Sequence, residues 1–335
     1  MSAPHFDVLG IGNAIVDILA RCDDAFLDSQ GLPKGHMQLI GADEADRLYR
    51  EMGSAIEISG GSAANSMAGI ASFGGKAAFI GRVADDQFGR VFAHDIRSIG
   101  VAYDTPAAED GAPTARCLIL VTPDGERTMN TYLGASVELG NGEVNANAIA
   151  DARILYLEGY LYDPPEAKAA FHEAADHAKA AGRKVALSLS DSFCVERHRE
   201  AFHSFIRTHV DILFANDEEI RALYETDSFD AACSSASKDC PLAALTRGAK
   251  GSVIVSKDGV VEIPAEAIDK LVDTTGAGDL YASGFLFGVA QDLPLSTCGA
   301  LASLAAAEII SHIGARPEQD LSTLAESRNL LNGSP

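Results

Sequence analysis

The residues with the most chemistry to offer sit in "DTTGAGDLYASGFLFG", residues 273–288. Two threonines and two glycines lead into Asp279, and the run after it has helical spacing, with Leu280, Ser283, Phe285, Leu286 and Val289 on neighbouring faces. This spacing predicts a helix opening at Gly276, Ala277, Gly278 and Asp279. A helix N-terminus leaves several N–H groups without intrahelical partners and carries partial positive charge, which together favour phosphate. Bare glycine backbone lets an anion approach, and Asp279 then stands beside it as a carboxylate. A plain capping aspartate explains the same residues.

Four other stretches place polar groups where strands end. In "GIGNAIVD" the third glycine of a dinucleotide fingerprint would fall at Ile15, so Gly10 and Gly12 read better as a turn delivering Asn13 and Asp17 to a crevice. An acid there suits sugar hydroxyls; an ordinary turn is the alternative. "SGGSAANSMAGIASFGG" sets Gly60 and Gly61 before a helix carrying Asn65, for close ligand approach or for tight helix packing. "FANDEEI" puts Asn216 and Glu219 three residues apart after a strand, an oxygen pair that suits magnesium acting largely through its water, or a solvated helix start. "LTRGAKGS" offers the Thr246 hydroxyl and backbone N–H groups at Gly248 and Gly251 to phosphate oxygens, without the Gly-Lys-Ser/Thr of a Walker loop.

Other chemistries are excluded by spacing. His172 and His177, like His198 and His203, are five apart and point to different helix faces, which rules against zinc. The six cysteines form no CxxC pair or ligand cluster, and no Gly-x-Ser-x-Gly elbow occurs.

These residues need a scaffold, and the 335-residue chain, 47% hydrophobic, supplies one. "FDVLGIG", "KAAFIGRV", "ARILYLEG", "KVALSLS", "VDILFAN", "AALTRG" and "GSVIVSK" read as strands alternating with amphipathic helical segments, the pattern of a doubly wound, mostly parallel sheet. Residues 114–133 break the pattern as strand, Pro-Asp-Gly turn, strand. With "GHMQLI" and "SAIEISGG" they predict a small β lid over one end of the sheet, where open α/β folds bind ligands. A formal charge of −22 repels nucleic-acid polymers and anionic lipid surfaces, so a small anionic ligand must be met locally. No apolar run reaches membrane-spanning length, and the cysteine usage suggests a reducing, cytoplasmic protein.

Taken in order, "GGSAANSMAGIASFGG" with "GRVADDQFG", "NDEE", "TRGAKG" and "DTTGAGD" resemble the ribokinase (PfkB-type carbohydrate and nucleoside kinase) family over roughly residues 7–317. Within it, "GNAIVD", "MQLI", "YLEGYL" and "HIGARP" look most similar to bacterial adenosine kinases. The resemblance implies one ribokinase-like α/β domain over residues 1–335, with lid segments near 18–60 and 101–133. It implies ATP and Mg2+ as cofactors, and transfer of the γ-phosphoryl group to a small-molecule hydroxyl, the 5′-hydroxyl of adenosine foremost. A sugar kinase or a catalytically silent nucleoside-binding regulator is the alternative, and the chain is expected as a monomer or homodimer.

By the same resemblance Asp279 is the base, with an ordinary low pKa, and the N–H groups of Gly276, Ala277 and Gly278 form the anion hole. Asn13, Asp17, Gly60, Gly61 and Asn65 hold the sugar, while Gln38 and the lid face the base. Asn216 and Glu219 organise magnesium, and Thr246, Gly248 and Gly251 contact ATP phosphates. Arg127 approaches the phosphates on lid closure, and Asp273, Thr275 and Gly314 supply a K+ site. Tyr132, Leu161 and Tyr162 are the candidates for stacking on the base.

Overall fold

Aliphatic and β-branched runs bounded by glycine and polar turns become thirteen strands in the computed structural model, which describes residues 4–331. In chain order they are β1 (Phe6–Ile11), β2 (Ile15–Arg21), β3 (Met37–Leu39), β4 (Ala55–Gly60), β5 (Ala77–Ile80), β6 (Ala115–Val121), β7 (Arg127–Tyr132), β8 (Ala152–Glu158), β9 (Lys184–Ser188), β10 (Ile212–Asn216), β11 (Leu242–Thr246), β12 (Ser252–Ser256) and β13 (Gly259–Ile263).

Eight of them form one sheet in the order β13-β12-β11-β10-β9-β8-β1-β5. It is parallel from β11 to β5, and β12 and β13 add an antiparallel edge. All seven stretches read as main-sheet strands lie in it. The eighth, β13, follows the Asp258-Gly259 turn, a hairpin signal in "KDGVVEIP" that sequence reading passed over. Helices cover both faces: Leu155, Leu157, Phe171 and Phe205 are buried on one side, and Val8, Phe79, Tyr156 and Phe285 on the other.

The remaining five strands make a separate sheet, β3-β7-β6-β2-β4. The chain passes from β1 to β2 through only Gly12, Asn13 and Ala14, the first of its crossings between the main sheet and the lid. Leu118 and Leu120 of β6 pack the outer lid face on Leu27 and Leu48 of the helices Asp24–Gln30 and Ala42–Glu51. Period-2 alternation turns Cys117 and Ile119 to the inner face with Ile15, Leu19 and Met129. Residues 101–114, expected in the lid, run along the main sheet instead, with Ala102 bridging Ala78 and Ala108 bridging Ala84.

The helix Ala277–Ala290 packs against both Ser62–Ser72 and Leu295–Ile309. Glycine permits this: a Cβ on Gly284 would lie 2.5 Å from the Leu301 carbonyl oxygen, and one on Gly69 2.3 Å from Ser283 Oγ. Gly284→Val should therefore lower stability by about 1–3 kcal/mol or more, since the opposing atom is backbone and cannot move aside alone. Urea unfolding checks it; an unchanged midpoint would mean that the two helices can separate freely.

Candidate active site

Between the lid and the carboxyl ends of the strands lies a cavity of about 750 Å³. Loops, strand ends and three helix starts build it. The turn after β1 brings Asn13, β2 brings Asp17, and the Gly61 cap brings Ser62 and Asn65 on the first turn of their helix. From the far side, residues 274–279 enter with the helix Ala277–Ala290, Asn216 and Thr246 come from the ends of β10 and β11, and Glu219 from the first turn of the helix Asp217–Tyr224.

Asp279 is held from across the cleft. Its Oδ1 accepts the Ser62 hydroxyl at 2.6 Å and its Oδ2 accepts Asn65 Nδ2 at 2.9 Å. Ser66 Oγ adds a bond to the Asp279 carbonyl at 3.0 Å. Burial nevertheless raises the Asp279 pKa, with the Ser62 and Asn65 hydrogen bonds and the Arg316 charge opposing the rise. The low pKa expected from the helix N-terminus alone is thus corrected. Gly276 opens the helix at φ +78°, a left-handed cap against Ala315 that a side chain would strain. Gly276, Ala277 and Gly278 all line the cavity.

The groups around Asn13 and Asp17 are close-fitted. A Cβ on Gly60 would sit 2.4 Å from Asp17 Oδ2, and one on Gly61, at φ +101°, 2.1 Å from the Asn13 carbonyl oxygen. These glycines are bare so that Asp17 and Asn13 can stand where they do. Asn13 Oδ1 and Asn65 Oδ1 are buried acceptors without a partner among the described residues. Burial lifts the Asp17 carboxyl to about 6, against the pull of Arg316 and Arg127, and the neighbouring Asp279 adds to the rise.

Asn216 and Glu219 meet as a capping box. Glu219 Oε2 accepts the Asn216 amide at 3.0 Å, Oε1 accepts Asn216 Nδ2 at 2.7 Å, and Asn216 Oδ1 accepts the Glu219 amide at 2.8 Å. Burial raises Glu219 to about 7, opposed by the Asn216 amide and reinforced by Asp191 and Glu218. A carboxylate and an amide oxygen lining the cavity are donors of the type that suits a magnesium ion held through water.

Several expectations are corrected by register and burial. Gln38 points to the opposite lid face and bonds Asn130 at 2.8 Å; its neighbours Met37 and Leu39 line the cavity. A one-residue offset in a strand exchanges faces. Gly248 and Gly251 lie outside the lining and shape the turn into β12, where a Cβ on Gly251 would fall 2.0 Å from the Ile263 carbonyl oxygen. Leu161 and Tyr162 are core residues, with Tyr162 stacked 4.3 Å from Phe202, and Tyr132 faces Arg116. The aromatics that line the cavity are Tyr160, Phe193, Tyr281 and Phe214, of which Tyr160 and Phe193 are 42% and 67% exposed.

Arg127 does not line the cavity; its guanidinium pairs with the Asp273 carboxylate, both side chains nearly enclosed. Asp273 also accepts the Thr275 amide at 3.0 Å and the Gly314 amide at 3.1 Å, so the three residues expected at a K+ site do come together. Burial opposes ionisation of Asp273, but the Thr275 amide, the Arg127 charge and the Gly314 amide together bring it below the usual carboxylate range.

Two functional-site residues escaped sequence reading. Glu158, at the end of β8, accepts Asn13 Nδ2 at 2.7 Å and the Ala63 amide at 2.7 Å, and burial lifts it to about 7 against these bonds. Arg316 bonds the carbonyls of Ser59 and Ala64. Each lay inside a quoted motif, "YLEGYL" and "HIGARP", but their partners are more than 90 residues away. Cys194 and His198 are four apart on one helix and gather with Asp163, a cluster the five-residue histidine spacing concealed. Arg197 grips Asp163 at 2.7 Å and Lys168 reaches His198 Nδ1 at 3.4 Å, so cations already face this cluster.

A doubly wound sheet with a β lid, and a carboxylate at a glycine-opened helix start between them, define a small-molecule phosphotransferase. Residues 35–321 match the family described as pfkB family carbohydrate kinase, and the chain belongs to that family. It is a kinase with an alcohol group as acceptor, and kinases of this family use ATP with Mg2+. It is similar to the adenosine kinase of Sinorhizobium meliloti, at 53% identity over 96% of this chain and 99% of that one, with a TM-score of 0.88. It is also similar to a probable sugar kinase from Rhizobium etli, at 50% identity over 98% of this chain and 100% of that one, with a TM-score of 0.90. Adenosine kinase 2 of Arabidopsis thaliana is 27% identical over 89% of this chain and 92% of its own length. No helix among the described residues is long and apolar enough to cross a membrane.

Glu158 and Glu219 have folded pKa values of about 7 and Asp17 one of about 6, all above their ordinary values. The ligand-free folded protein then holds protons that the unfolded chain has already released, so these groups lose stability as pH rises from about 4 to about 7. Glu158→Gln should flatten that fall. Thermal melts between about pH 5 and about pH 8 check it, and parallel curves for the two proteins would show that Glu158 ionises freely.

Proposed function

We propose that the protein transfers the γ-phosphoryl group of ATP to the 5′-hydroxyl of adenosine, giving AMP and ADP, as a purine-salvage step in the cytoplasm, where its six free cysteines stay reduced. The observation that supports this reading is the mixed lining of the cavity, polar and apolar groups together. Near Asp279 it presents Asp17 and two unpartnered acceptors, Asn13 Oδ1 and Asn65 Oδ1, which suit the hydroxyls of a ribose. The same lining includes Met37, Leu39, Met129, Tyr160 and Phe193, apolar and aromatic surface that a free sugar has no group to match and a flat base does.

Asp279 accepts the proton of the hydroxyl as its oxygen bonds to the γ-phosphorus and the bond to the ADP oxygen breaks. Ser62 and Asn65 fix the carboxylate for that transfer. Backbone N–H groups at Gly276 to Asp279 meet the charge on the transferring group, the larger contribution when the transition state is loose. Magnesium bound with ATP would neutralise phosphate charge, held through water by Asn216 and Glu219. Closure of the lid excludes water.

The Rhizobium relative described as a probable sugar kinase favours a second reading, a sugar hydroxyl as acceptor at the same site. ADP formation with adenosine, inosine, guanosine, ribose and fructose distinguishes them. Adenosine should have the highest kcat/KM, because binding of the base also orders the lid and aligns the hydroxyl. Faster turnover of ribose or fructose would replace adenosine with a sugar. Asp279→Asn should lower kcat by about three orders of magnitude or more with ATP binding kept; near-normal turnover would remove Asp279 from the base role.

The loop of Asp273, Thr275 and Gly314 is offered as a K+ site that steadies the anion hole. Potassium should then raise the rate above that in a large organic cation at equal ionic strength. Equal rates would mean that the loop needs no cation beyond the Arg127 guanidinium already on Asp273.

A further inference from the structure

Asp17 and Asp279 stand in one cleft, and each carboxyl is disfavoured by burial. Phosphoryl transfer needs both ionised, one for the sugar hydroxyls and one for the proton, while an ATP tail adds more negative charge. In a chain with a formal charge of −22 the compensating cation must be local. Arg127 is already committed to Asp273. Arg316, two residues after Gly314, is the other guanidinium acting on the two acids.

Its hydrogen bonds are unusual for an arginine. Nε and Nη2 both donate to the Ser59 carbonyl, at 3.0 and 2.7 Å, Nη2 also to Ser59 Oγ at 3.0 Å, and Nη1 to the Ala64 carbonyl at 2.6 Å. All these acceptors are neutral. The positive charge is therefore not consumed by a paired carboxylate and acts through space on Asp17, Asp95 and Asp279. Burial lowers the Arg316 pKa to about 10, opposed by those three acids, so it stays protonated at neutral pH.

The same bonds brace the site. Ser59 closes β4 just before the Gly60-Gly61 turn, and Ala64 lies on the first turn of the helix that carries Ser62 and Asn65. Ser59 is fixed from behind by Asp95, through its amide at 2.8 Å and its hydroxyl at 2.6 Å. On the other side Ala315, next to Arg316, packs against Gly276 of the anion loop.

We propose that Arg316 is a positioning residue for the reaction: its planar fork ties the Gly60-Gly61 turn and the start of the Asn65 helix to the anion loop, and its uncommitted charge holds Asp17 and Asp279 together as anions. The inference rests on Asp279 acting as the base. The other charged or titratable groups facing the two acids are Cys117 on β6, Arg127 on β7, Tyr156 and Glu158 on β8, and Tyr160 after it. Of these, Glu158 also bonds the Asn65 helix, at the Ala63 amide, but its other partner is Asn13 and not the Gly60-Gly61 turn.

The test is the pH dependence of kcat/KM for adenosine in wild type, Arg316→Met and Arg316→Lys. In wild type the acidic limb records ionisation of the cleft carboxylates. Arg316→Met removes both charge and fork, so the limb should move upward by about one pH unit and activity near neutral pH should fall about 30-fold, recovering in part at higher pH. Arg316→Lys keeps the charge and loses the fork; the limb should stay within a few tenths of wild type while kcat drops by about tenfold. A limb that stays in place in Arg316→Met, or one displaced equally in Arg316→Lys, overturns the inference. If Arg316→Met does not fold, Arg316→Gln, neutral but still a donor to the two carbonyls, is judged by the same limb. Asp279→Asn is assayed alongside: an active Asp279→Asn removes the base reading, whereas an inactive one with an unmoved Arg316→Met limb removes only the role of Arg316.

Discussion

Two helix N-termini converge on one carboxylate, and the rest of the site depends on that meeting. Asp279 stands on the first turn of its own helix and receives hydrogen bonds from Ser62 and Asn65 on the first turn of another. Both helix dipoles point their positive ends into the same space. In so acidic a chain this is how an anion can be bound without a cluster of cations: backbone N–H groups and dipoles supply the field, and glycine lets the ligand reach it. The close packing of Ala277–Ala290 on Ser62–Ser72 sets how far apart the two ends stand.

The lid is linked to this centre by charge. Arg127 reaches from β7 to Asp273, whose carboxylate also ties Thr275 to Gly314 beneath the anion loop. The lid strand β7 and the loop that opens the helix Ala277–Ala290 are thereby joined by one ion pair. The short Gly12 to Ala14 connection adds a second link, because Asn13 bonds Glu158 of the main sheet while Asp17 belongs to the lid.

Much of the fold was legible because periodicity is a local property. Alternating strand and helix patterns located the main sheet, and the Pro-Asp-Gly turn located the β6–β7 hairpin. What was missed also has a local reason. The resemblance places Gln38 at the cavity, but three-residue β3 takes its register from pairing with β7, which sends Met37 and Leu39 inward. Tyr162, one of the stacking candidates, is a core aromatic while Tyr160, two residues earlier, lines the cleft, and no local pattern separates the two.

The sequence by itself determined which residues could do chemistry. "DTTGAGD" specifies a glycine-opened helix with one acid, and "NDEE" specifies a capped helix start, since both depend on contacts within one turn. Tertiary structure decided which groups act together. The Glu158 bonds to Asn13 and Ala63, the Arg127 pair with Asp273, and the Arg316 clamp on Ser59 and Ala64 join positions 95 to 257 residues apart. Their charges are perturbed by burial that no short stretch encodes, because desolvation depends on everything folded around the group.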